Sequence, residues 1–117
     1  MSSQAFSYLL VAFCVVALAI GQIVFKFVGI RLASLTDLFT DVPALALLGI
    51  AVTLYAASTL AWIVALRTLP LTHAYTLMAL GFILVPLTAH FLLGEPLTTR
   101  LIAGSVVIIA GILIAVT

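Results

Sequence analysis

Four apolar runs, each about as long as a bilayer is thick and separated by short polar turns, constrain this chain more than any other feature. Roughly 20 mainly apolar residues in helical conformation cross the hydrocarbon core of a membrane. The runs fall at residues 5–29, 43–66, 72–93 and 98–116. In lipid every backbone N–H and C=O must be satisfied within the protein, which leaves only helices or a closed barrel. Barrel strands alternate in polarity, whereas these runs are apolar all round. The expected fold is an all-α membrane protein with four transmembrane helices. Short connections make neighbouring helices antiparallel, in a single transmembrane domain over residues 1–117.

Composition excludes the obvious soluble classes. Only 6% of the 117 residues are charged, against about 25% in a typical soluble domain. The net charge is +1 and the four Lys and Arg are scattered, so no nucleic-acid partner is expected. The single cysteine, Cys14, can make neither an intrachain disulfide nor a cysteine metal cluster; it reads as a buried, inert thiol. Ala17-Leu18-Ala19 imitates a signal cleavage site, but no basic residue precedes it and the apolar run continues past it. Removal of a signal is therefore not expected.

Residues 31–41 are the most polar stretch and have room for a short interfacial helix. Pro43 suits the first turn of the second helix, where a missing N–H costs nothing. Thr72 and Thr98 are placed to cap the third and fourth helices. Lys26, Arg31 and Arg100 lie toward one side and Arg67 toward the other. The positive-inside rule then puts the first and third loops in the cytoplasm and both termini outside.

Polar groups within the spans are the natural functional candidates, because lipid makes them expensive. Gln22 and Lys26 are four apart and share a helix face, with Gly21 beside them to admit another backbone. A lysine at mid-membrane costs about 2.5–3.5 kcal/mol; Lys26 is near its span end and can reach the headgroups. The third helix begins with His73 and Tyr75, both suited to the interface, as is His90 at its far end. Gly81 and Pro86 should loosen and kink this helix, Pro86 by deleting a backbone bond. Gly104 and Gly111 mark a small-residue stripe on the fourth helix, where another helix, of this chain or of a second subunit, can pack closely. No catalytic residue set, metal-ligand cluster, phosphate loop or cofactor motif is legible. Asp37, Asp41 and Glu95 all lie in or beside turns, so no carboxylate sits mid-membrane.

Three segments in order carry a resemblance. They are Gly21-Gln22-Ile23-Val24-Phe25-Lys26, Leu69-Pro70-Leu71-Thr72-His73-Ala74-Tyr75, and Gly94-Glu95-Pro96-Leu97-Thr98 followed by Gly104 and Gly111. Together they resemble the small drug/metabolite transporter superfamily over nearly the whole chain. One branch, the small multidrug resistance proteins, carries a membrane glutamate where this chain has Leu18, and often a tryptophan where it has Met78. Both departures argue against proton-driven drug export. The other branch, the undecaprenyl-phosphate aminoarabinose flippase subunits, is more similar.

That resemblance implies a flippase subunit moving a polyprenyl-phosphate-linked sugar across the bacterial inner membrane. It implies no enzyme activity and no cofactor. Lys26 and Arg31 would hold the phosphate, and Gln22 and Tyr75 the sugar. Glu95 would pair with a sugar amine or with Arg100. Alternating access would turn on Gly81 and Pro86, with passive exchange as the simplest energy source. Four helices are few to enclose a headgroup, so a homodimer or a heterodimer with a related small subunit is expected, with contact through Gly104 and Gly111. The alternatives are a small-solute or multidrug efflux protein, and a non-transporting anchor or regulatory subunit.

Overall fold

A computed structural model describes residues 3–116. Five helices make up four spans: α1 (Ser3–Arg31), α2 (Val42–Ala65), α3 (Leu71–Met78), α4 (Gly81–Leu93) and α5 (Thr99–Val116). Helices α3 and α4 run on as one span, Leu71–Leu93. All four spans are long and apolar enough to cross a membrane, and no strand occurs among the described residues. The chain is an all-α membrane protein, as its four apolar runs require.

Four contacts fix how α1 lies against α2. Ser7 touches Thr68 through their hydroxyls, Cys14 Sγ donates to the Ser58 carbonyl at 3.3 Å, Gln22 meets Tyr55, and Arg31 meets Asp41. Partners descend in number as α1 ascends, so the two helices are antiparallel. Helix α1 is the central element: 39% of its most apolar stretch is buried, against 11% or less in the other spans. The packed core lies at the end nearest the α2–α3 turn, where Val11, Val15, Ala65, Leu69 and Ala74 come together.

The turns explain where the helices begin and end. Asp37 accepts from the N–H groups of Ala33 and Ser34 through Oδ2, which starts a short 3-10 helix over Leu35–Phe39. Asp41 caps α2, accepting from the Ala44 N–H at 3.2 Å, and Pro43 sits in the first turn. Thr98 accepts from the Leu101 N–H at 3.1 Å and caps α5. The expectation for Thr72 is corrected: α3 starts at Leu71 with Pro70 at the cap position. Proline holds an extended backbone there and, by its fixed φ, launches the helix two residues before Thr72 could cap it. Helix α4 ends at Gly94, whose φ of +70° is left-handed. That conformation suits glycine, and it turns Gly94 and Glu95 N–H groups back onto the His90 and Ala89 carbonyls.

The interruption of the third span lies at Ala79 and Leu80, immediately before Gly81 and ahead of Pro86. There the backbone tightens, with Ala79 and Leu80 donating to the carbonyls of Thr76 and Leu77. Pro86 remains inside α4. Intramembrane hydroxyls are satisfied locally: Thr53, Ser58, Thr59, Thr76 and Thr88 each donate to the carbonyl four residues back, an arrangement lipid enforces.

Candidate headgroup site

The polar end of α1 converges on two other elements. Gly94 turns the chain so that Glu95 faces Lys26, Nζ to Oε1 at 3.8 Å. The His90 ring steadies the same turn: Nδ1–H donates to the Glu95 carbonyl at 2.7 Å. Both charged side chains are about half exposed, so this pair is open to competition from another anion or cation. Glu95 therefore meets Lys26, the cation one of whose proposed roles is to bind phosphate, rather than Arg100.

One turn deeper, Gln22 Nε2 donates to the Tyr55 hydroxyl at 2.7 Å. Tyr55 also stacks on Phe25, ring centroids 5.4 Å apart. Gly21 makes this possible, because a Cβ there would lie 2.7 Å from Tyr55 Cε2. The glycine expected to admit another backbone admits an aromatic ring instead. Tyr55 was not legible as a site residue. Its signal was a tyrosine in the middle of a span, where an interfacial role is impossible.

Arg31 is placed apart from Lys26. Its Nε donates to both Asp41 oxygens, at 3.2 and 3.1 Å. The guanidinium hydrogen bond holds the Asp41 carboxyl below the usual carboxylate range, with the α2 cap contributing in the same direction. The bonds run through Nε, so the terminal guanidinium nitrogens keep donors for a second anion. Tyr75 is 71% exposed and lines a cavity with Leu18 and Tyr55, a cavity that Lys26 does not line. A second cavity, of about 380 Å³, joins Gln22 to Gly81 and Pro86 past Leu18 and Met78. Leu18 and Met78 line both cavities, so the two positions that depart from the drug exporters stand where the cavities adjoin. Gly104 and Gly111 lie away from all of this; a Cβ added at either would meet no neighbouring atom within 4 Å.

Among the described residues, no group of His, Cys, Asp and Glu is arranged to hold a metal ion. No protein-family model matches the chain, and no solved structure matches it. Curated proteins do. One from Erwinia tasmaniensis, named "Probable 4-amino-4-deoxy-L-arabinose-phosphoundecaprenol flippase subunit ArnF", is 33% identical over 109 residues, covering 86% of each chain. A protein of the same name from Pseudomonas fluorescens is 40% identical over 75 residues, 62% of this chain and 55% of that one. The corresponding subunit ArnE from Pseudomonas aeruginosa is 38% identical over 72 residues, 62% of this chain and 58% of that one. The chain thus spans a little over half the length of these last two relatives and most of the first. By its four spans and by these relatives, this multi-pass membrane protein belongs to the family of ArnE and ArnF flippase subunits.

Proposed function

We propose that the chain is one subunit of a flippase that carries an aminopentose linked to a polyprenyl phosphate across the bacterial inner membrane. The observation that carries this reading is the half-exposed Lys26–Glu95 pair at the end of α1, one turn from the Gln22–Tyr55 bond. A lipid phosphate competes with Glu95 for the Lys26 ammonium, which binds phosphate as a point charge. Arg31 adds donors from the neighbouring turn. The sugar then follows the polar face inward past Gln22, toward Tyr75, while its prenyl tail stays in the bilayer. Glu95, released from Lys26, is available to the sugar amine as the headgroup enters, before the sugar moves inward.

Alternating access requires a joint, and the tightened backbone at Ala79 and Leu80 beside Gly81 supplies one. The fold is 21 Å across its thinnest dimension, about two helices of 10–12 Å each. Such a slab walls a headgroup on one side only. We therefore take the working unit to be a dimer, of identical chains or with a related small subunit, joined through the α5 stripe of Gly104 and Gly111. With no carboxylate in the membrane interior, movement follows the gradient of the lipid, drawn by its consumption on the far side.

The test is movement of lipid-linked aminopentose between leaflets of reconstituted vesicles. Lys26→Ala and Gln22→Ala should each lower the rate at least tenfold, with helix content and monodispersity unchanged. Undiminished movement in both variants would show that the headgroup site lies elsewhere. Proton release on adding a cationic drug would instead point to efflux.

A further inference from the structure

Beyond Gln22, between α1, α2 and α3, lies a cavity of about 240 Å³ whose chemistry is unlike that of the charged end. Tyr55, Trp62 and Tyr75 line it, together with the hydroxyl-bearing Ser58 and Thr59 and the apolar Leu18 and Met78. Each of those hydroxyls already gives its proton to a carbonyl of α2, at 2.8 Å. What they offer a guest is lone pairs only. The Tyr55 oxygen accepts from Gln22 and keeps its own proton to donate. No Asp, Glu, Lys or Arg lines the space.

Those facts select a guest by sign. Aromatic faces attract cations, and committed hydroxyls accept hydrogen bonds but cannot give them. An anion would find no positive charge among the lining residues. A primary ammonium bearing hydroxyl groups would find ring faces for its charge and acceptors for its N–H groups. We infer that this cavity is the recognition site for the ammonium group of the sugar headgroup, read by Trp62 and Tyr75, while the phosphate is read at Lys26. The inference rests on the flippase reading above and gives it a division of labour: the two opposite charges of one headgroup are recognised at different depths. Leu18, in the cavity wall, is two turns from Lys26, about 12 Å along the α1 axis, with the Gln22–Tyr55 bond midway.

Trp62 is the only tryptophan of the chain, so its fluorescence reports on the cavity directly. The full chain in lipid nanodiscs is titrated with 4-amino-4-deoxy-L-arabinose and, separately, with L-arabinose, which has a hydroxyl in place of the amine. The aminopentose should change Trp62 emission saturably, with L-arabinose at least tenfold weaker. Tyr75 is exposed, so its replacement is tolerated by the fold. Tyr75→Leu should weaken the aminopentose at least fivefold, and Tyr75→Phe, which keeps the ring, should stay within twofold of the parent. Equal response to the two sugars, or an undiminished response in Tyr75→Leu, overturns the assignment. Vesicle transport by the same protein separates the two ideas. Movement of the lipid-linked sugar without amine selectivity removes the cavity assignment and leaves the flippase reading. Selective aminopentose binding with no movement removes the flippase reading and leaves an ammonium site.

Discussion

Helices α1 and α5 are both apolar enough to cross a membrane, and both carry glycines, yet the fold uses them in opposite ways. Within α1, 39% of the most apolar stretch is buried; within α5 the share is 6%. Gly21 of α1 is filled by the Tyr55 ring, whereas Gly104 and Gly111 of α5 have nothing over them. Helix α1 is tied to its neighbours at both ends and in the middle, by Thr68, Ser58, Tyr55 and Asp41. Helix α5 packs lightly on α3 and α4 and leaves Val106, Val107, Leu113 and Ile114 exposed. The lesson concerns small residues in membrane helices. They permit close packing, but the permission is taken up inside the chain at one helix and left open at the other.

The sharpest way to break this contrast is to fill Gly21. Gly21→Val should push Tyr55 off its site and break the Gln22 bond. Overpacking of this kind costs about 1–3 kcal/mol, read as a lower melting temperature in detergent, and transport should fall with it. A melting temperature equal to the parent's would mean that Tyr55 has room to move and that α1 is not packed as described. Filling the stripe on α5 should do something different. Gly104→Leu with Gly111→Leu should leave the thermal stability of a single chain within about 0.5 kcal/mol, as expected for surface changes. The same pair should shift native mass spectra from dimer to monomer. An unchanged dimer would remove α5 as the seam, and a large loss of stability would mean that α5 is packed within the chain after all.

A smaller effect sharpens the picture at the end of α1. Asp41 has its carboxyl held below the usual range by Arg31. A depressed carboxylate contributes stability that is fully present above its unfolded pKa and is lost as pH falls through the folded one. The melting temperature should therefore decline as pH drops below the ordinary carboxylate range. In Asp41→Ala that part of the decline should vanish, along with the α2 cap. Arg31→Gln should lessen the pH dependence while keeping the cap and the smaller part that the cap contributes. If both variants follow the parent's pH curve, the tie between α1 and α2 at this end contributes nothing in solution.

Much of the fold was legible because lipid leaves so few solutions. A span that cannot hydrogen-bond to solvent must be helical, and Asp37, Asp41, Pro43, Gly94 and Thr98 punctuate those helices by local rules that need no tertiary context. The candidate site was legible only in part. Gln22, Lys26 and Glu95 stand out because polar side chains are rare in this sequence. Tyr55, Trp62, Ser58 and Thr59 do not, because aromatic and hydroxyl residues are ordinary in membrane helices and announce themselves only when they face one space. The third span is interrupted beside Gly81, one of the two residues expected to loosen it, and not at the other. Pro86 deletes a hydrogen bond, but the tightened turn forms at Ala79 and Leu80, beside the glycine.

The sequence by itself determined the number of spans, their helical state and the absence of an acidic group in the membrane interior, since each follows from which residues lipid tolerates. It also carried the family, through motifs that lie on one chain in a fixed order. Only the tertiary structure decided which residues meet: Lys26 with Glu95, Gln22 with Tyr55, and Tyr55 over Gly21 rather than a neighbouring backbone. Helices of uniform apolar character carry almost no angular signal, so the faces they present are set by the shapes of side chains packing against one another, and those shapes meet only once the chain has folded.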